Sequence, residues 1–157
     1  MTEKIIEVQV ENRAQPDELR IDGSLEDVLQ QIRQHAGFGG EALVFERDKD
    51  EPVGREIDGR KAVSVVVHRC HRIRVSVQFE DRTEPHDFSP AATVFRIIQW
   101  AVSKKVFNLD DTAKAKANLI LPGADAPLPR DAAIGQFVSG DTCSLTVDLT
   151  LKDFTNG

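Results

Sequence analysis

Tyrosine is absent from the 157-residue chain, and tryptophan occurs once, at Trp100. An aromatic-lined ligand pocket or a base-stacking platform therefore has little to build from. Basic residues are in deficit: 20 Lys and Arg stand against 26 Asp and Glu, a net charge of −6. That balance argues against a broad nucleic-acid-binding surface, and basic residues cluster only locally, from Arg69 to Arg74. No apolar run approaches the roughly 18 to 20 residues that would span a bilayer, so no membrane segment is expected. The opening residues MTEKIIEVQV enter a strand pattern at once, with no basic-then-apolar leader. Cysteine is scarce as well. Cys70 and Cys143 do not make a disulfide framework, and the expectation is a reducing, cytoplasmic setting.

What is present is hydrophobic patterning. At 40% hydrophobic and 29% charged residues, the composition suits one ordinary domain or two small ones. Ile6, Val8 and Val10 alternate with Glu7, Gln9 and Glu11, which predicts a strand with one apolar face. Turn chemistry in AQPDE leads to a returning strand over Leu19 to Asp22. Ser24 then caps a helix, with Asp27 three residues on, a stripe of Leu25, Val28, Leu29, Ile32 and Ala36, and Gly37 as its stop. ALVFERDKDEPVG is a short strand and a charged turn, and KAVSVVVH closes the set.

The same plan restarts at Arg72. RIRVSVQF places Ile73, Val75, Val77 and Phe79 on one face, and TEPHDF returns as an edge strand, because Pro85 lacks an N–H. SPAATVFRIIQWAVSKKV is expected to be a helix capped by Ser89 with Pro90 at its first position. Its buried stripe is Val94, Ile97, Ile98, Ala101 and the stem of Lys105. ANLILPG is a short strand, ADAPLPRDAAIGQFV has room for one short helical turn, and CSLTVDLTL is the last strand, with Leu145, Val147, Leu149 and Leu151 inward. In each half the first and last strands are expected to be parallel neighbours joined through the helix. The boundary falls in VVVHRCHRIRV. Only His68 to Arg72 separate the halves, too few for a free tether, so a restricted arrangement is expected.

This element order is that of the β-grasp. The second half, NLILPGADAPLPRDAAIGQFVSGDTCSLTVDLTLK, resembles the C-terminal half of ubiquitin, and LVFERDKDEPVG carries a weaker likeness in the first half. The fold expected is α+β, two tandem β-grasp domains, each a mixed four- to five-stranded sheet over one helix. They would cover residues 1–69 and 70–157, with a tail at 152–157. Two such units ending in a tail resemble the interferon-induced two-domain modifier of vertebrates and its bacterial counterparts in antiphage operons. The resemblance implies a protein modifier that is not itself an enzyme. It needs no cofactor of its own, since ATP is used by its partner. An activating enzyme would adenylate Gly157 and hold it as a thioester, a conjugating enzyme would pass it to a target such as a phage structural protein, and a metal-dependent isopeptidase would release it. Thr155 and Asn156 would occupy the channel of the activating enzyme or isopeptidase, where a residue without Cβ lets backbone pass closely. Partners are proteins, with no nucleic acid and no membrane. The family's usual ending is Gly-Gly, whereas this chain reads Asn156-Gly157, and Asp153 and Phe154 stand where a basic arm is usual. Ile120 matches the centre of the apolar recognition patch of ubiquitin, but Asp148 falls on another patch position. Two alternatives stay open: a non-conjugated interaction module, and a sulfur carrier.

Other features read more plainly. His68, Cys70 and His71 cluster in HRCHR, but zinc sites draw on two separated ligand pairs and no second pair exists, so a hinge is expected there whose cationic side chains face water or the neighbouring domain. Cys143 is expected as a small residue of a strand start. The carboxylates of ERDKDE and LDD are expected to be solvated turns. GFGGEA follows a helix instead of linking a strand to one, which is the wrong place for a phosphate loop. Trp100 lies off the clearest apolar stripe and is expected either to cap the core or to pack at the interdomain seam, the seam being preferred.

Overall fold

In the computed structural model, which describes residues 3–152, the alternation of the first strand becomes β1 (Lys4–Val10), with Ile6, Val8 and Val10 buried. β2 (Asp17–Ile21) returns antiparallel beside it, pairing Glu7 with Glu18 and Ile5 with Arg20. α1 (Leu25–Ala36) starts at a full capping box. The Asp27 N–H donates to Ser24 Oγ at 3.3 Å, and the Ser24 N–H donates to Asp27 Oδ2 at 3.3 Å. Gly37, at φ 83°, ends it in the left-handed conformation that glycine tolerates best. β3 (Leu43–Glu46) and β4 (Ala62–His68) complete a sheet of order β2-β1-β4-β3 in which β1 and β4 run parallel.

The second lobe repeats the plan with β5 (Ile73–Phe79), β6 (Arg82–Phe88), α2 (Val94–Val102), β7 (Asn118–Ile120) and β8 (Ser144–Thr150). Its sheet order is β6-β5-β8-β7, again with the first and last strands parallel, and β6 with Pro85 lies at an edge as expected. The short helical turn is a 3-10 turn at Ile134–Phe137. Each lobe therefore has a four-stranded mixed sheet and its own apolar cluster, which is the tandem β-grasp expected from the sequence.

Several local expectations change. α2 starts five residues later than Ser89, with Thr93 as its cap accepting from the Arg96 N–H. Ser89 Oγ is committed elsewhere: it donates to Lys49 O of the first lobe and accepts from the Ala91 N–H. Lys105 lies beyond α2 and is exposed, so it adds no stem to the stripe. An unforeseen helix, α3 (Asp111–Lys116), follows α2. Asp110 caps it by accepting from the Ala113 N–H at 2.8 Å, so the LDD carboxylates are not simply solvated. Cys70 and Cys143 are bonded to each other, contrary to the expectation of two separate thiols. The fold brings the connector after β4 against the residue that opens β8, a proximity that 73 positions of separation conceal.

Candidate functional site

The last described strand is β8. That strand is interior to its sheet, hydrogen-bonded to β5 on one side and β7 on the other, with Val147 and Leu149 buried beneath it. Thr155, Asn156 and Gly157 lie outside the described residues. Ile120 is half-buried on β7 and stands directly across from Asp148 on β8. The rows beside it on the outer face are polar: Gln78 opposite Asp148, Ser76 opposite Thr146, and Arg74 opposite Ser144. Ile120 thus stands as an isolated aliphatic residue in a polar face instead of at the centre of an apolar patch.

The first lobe uses its corresponding face differently. Phe45 of β3 pairs with Val66 of β4, and both are buried under Ala91 and Ala133 of the second lobe. Outward alternation on β4 also brings His68 to this seam, where it is fully buried. Its Nδ1 accepts from the Cys70 N–H at 3.0 Å, which leaves the proton on Nε2 to donate to Val138 O at 2.9 Å. The neutral ring is fully satisfied. Burial pushes its pKa below the ordinary 6.5, against the pull of the Glu11 carboxylate, whose Oε1 lies 3.9 Å from Nδ1. Glu11 itself, 4% exposed, accepts from Arg69 through both backbone and guanidinium and from the Gly140 N–H. Burial alone would raise its carboxyl, but these donors outweigh burial and hold it below the usual range.

Two glycines make this approach possible. A Cβ on Gly135 would lie 2.7 Å from His68 Cδ2 and 2.8 Å from Pro90 O, and one on Gly140 would lie 2.5 Å from Arg69 Nε. The ERDKDE turn also crosses the seam. The Asp48 N–H donates to Ala91 O, Asp48 Oδ1 accepts from the Thr93 N–H, and Asp50 pairs with Arg96. The expectation of a merely solvated turn is therefore wrong for Asp48 and Asp50. Contacts on both sides of the connector thus hold the lobes together, through an apolar patch and a buried charge network, while the Cys70–Cys143 disulfide ties the connector to the start of β8.

In HRCHR, Arg69 faces the neighbouring lobe, where it pairs with Asp141, and His71 faces water, as expected; His68 is buried at the seam and Cys70 is in the disulfide. Trp100 stacks on His86 at 5.1 Å and meets Phe88 edge-on at 5.6 Å, both within its own lobe. The cleft that it lines also includes Asp50 and Glu51 of the first lobe, so it borders the seam without filling it. Among the described residues, no group of three or more His, Cys, Asp or Glu is placed to hold a metal ion, and no helix is long and apolar enough to cross a membrane.

The seam residues were beyond sequence reasoning, because alternation marks the inner face of each sheet and does not say what covers the outer one. The signal that was present is the run Val65-Val66-Val67, in which an apolar residue occupies the outward position.

No curated protein matches the chain. Among solved structures, it is similar to the solution structure of the N-terminal ubiquitin-like domain in the 4931431F19Rik protein, at 19% identity and a TM-score of 0.40, over 54% of this chain and 78% of that one. The family model described as BilA ubiquitin-like domain 2 matches residues 74–152, which run from β5 through β8 to Lys152. With two β-grasp sheets in tandem and the second matched throughout, the chain belongs to the BilA ubiquitin-like domain family.

Proposed function

We propose that the chain is a ubiquitin-like protein modifier, a substrate of enzymes and not an enzyme, working in bacterial antiviral defence. With its carboxylate free, Gly157 is the acyl donor. An activating enzyme adenylates it at the expense of ATP and takes it as a thioester. A conjugating enzyme then transfers it to an amine of a target, such as a phage structural protein, and a metal-dependent isopeptidase cuts the bond. Thr155 and Asn156 thread the activating enzyme and the isopeptidase. The cytoplasm, where ATP and those enzymes are found, is the setting.

The observation that supports this reading is the family match, which ends at Lys152, where residues 152–157 begin. Fully extended, those six residues reach at most about 20 Å, enough to enter a partner's channel while β8 stays paired. The test is a thioester gel shift with the cognate activating enzyme. The full chain should form a thiol-sensitive adduct, and the chain lacking Gly157 should form none at an unchanged melting temperature. Asn156→Gly should charge normally. An adduct with the Gly157-deleted chain would leave an interaction module as the better reading.

A further inference from the structure

The second lobe covers only half of the first lobe's outer sheet face. Phe45 and Val66 lie beneath it, while the rows nearer β2 stay open. Ile5 sits there, 37% exposed on an interior strand, next to Ala62 on β4. It is one of two large apolar side chains that are exposed among the described residues, and the other, Phe95, is on α2.

The next row along the strands is acidic. Glu7 and Glu18 stand directly opposite each other on β1 and β2. Like charges so placed destabilise a sheet, and the cations that face them, Arg47 and Arg20, stand only at the outer limit of ion pairing. Ser64 donates to Glu7 at 3.1 Å, but Arg47 lies at 4.0 Å from Glu7, and Arg20 at 3.9 Å from Glu18 is shared with Glu3. Two depressions of about 340 and 470 Å³ meet on this face, sharing Glu7, Pro16 and Ser64. The first runs up to the second lobe, where Asp131 and Ala133 form a wall continuous with the interlobe contact.

We propose that this uncovered half-face, from Ile5 to the Ala133 wall, is a docking surface for a basic segment of a partner protein. Successive outward residues on a strand are about 7 Å apart, so the Ile5 row and the Glu7–Glu18 row lie that far from each other. The segment that fits presents an aliphatic side chain to Ile5 and Ala62, and a lysine or arginine about 7 Å away to the two carboxylates. Its cation brings the two carboxylates a closer countercharge than Arg47 or Arg20 and relieves the Glu7–Glu18 repulsion. The surface lies on the first lobe and does not depend on conjugation.

The test uses the full ¹⁵N-labelled chain and two synthetic nonapeptides, one alternating lysine with valine and one alternating glutamate with valine. The lysine peptide should shift the amides of Ile5, Glu7, Glu18 and Ser64 first, weakening as salt rises, and the glutamate peptide should leave them in place. The double variant Glu7→Gln/Glu18→Gln should bind the lysine peptide about tenfold more weakly. It should also melt about 1–3 °C higher, which separates lost binding from lost folding. Shifts centred elsewhere, equal responses to both peptides, or parental affinity in the double variant would overturn the proposal. So would concentration-dependent self-association abolished by that variant, which would assign the face to a second copy.

Discussion

Phe45 and Ile120 hold the same place in their two sheets: outward on the third strand of a lobe, facing the fourth strand at Val66 and Asp148. Phe45 is 0% exposed beneath the second lobe, and Ile120 is half-buried on a polar face. One position of a repeated fold therefore serves cohesion in the first lobe and surface in the second.

That difference fixes the outcome of truncation. Phe45→Ala should cost about 3 kcal/mol, the range for removing a buried ring that its surroundings only partly refill. Ile120→Ala should change stability by less than about 0.5 kcal/mol. Chemical denaturation of the two variants checks this, and equal losses would show that the seam contributes nothing through Phe45.

Gly135→Ala should destabilise by about 1–3 kcal/mol, because its Cβ would press on Pro90 O, a backbone atom that cannot rotate away. Gly40→Ala is the control, since a Cβ there meets nothing within 4 Å. If the two variants melt together, the close approach at His68 is slacker than described.

Much of this was legible beforehand, and the failures share a cause. Period-2 alternation located the inner faces of β1, β4, β5 and β8, and Ser24, Asp27 and Gly37 marked both ends of α1, since those signals are local. Ser89-Pro90 is an equally good local start signal for α2, yet the Ser89 hydroxyl is taken by Lys49 O across the seam, and Thr93 caps instead. Asp48, Asp50 and the Cys70–Cys143 pair were misread for the same reason. Each is decided by a partner in the other lobe or 73 positions away, where no sequence period reaches.

Acid should loosen the molecule in two steps. The unfolded chain protonates His68 near its ordinary 6.5, whereas the buried ring resists. The unfolded state thus binds more protons below that value, and stability falls as pH drops from about 6.5 towards the folded pKa. Glu11 contributes in full above about 4.5, and its contribution disappears as pH falls through its lower folded value. Melting curves from pH 8 to 3 should show both segments. His68→Gln should flatten the upper one alone, and an unchanged profile in that variant would remove His68 from the account.

The chain isolated without reductant should contain no titratable thiol. Cys143→Ser should lower stability by about 4 kcal/mol on chain-entropy grounds, for a link closing 73 positions. Thiol titration under denaturing conditions, with and without prior reduction, checks the bond directly. Two free thiols in the unreduced protein would contradict it.

That bond also redirects mechanical load. A force applied at Lys152 enters β8 and at Cys143 meets a covalent route to Cys70, at the exit of the first lobe. Tension then bypasses β5, β6, both second-lobe helices and β7, which hang as a closed loop off the loaded path. Stretched from end to end, the chain yields contour length only from residues 1–70 and 143–157, because the stretch between the cysteines is locked in. At full extension that withholds roughly 250 Å, so a load applied through Lys152 meets a far shorter and stiffer leash than 157 residues provide.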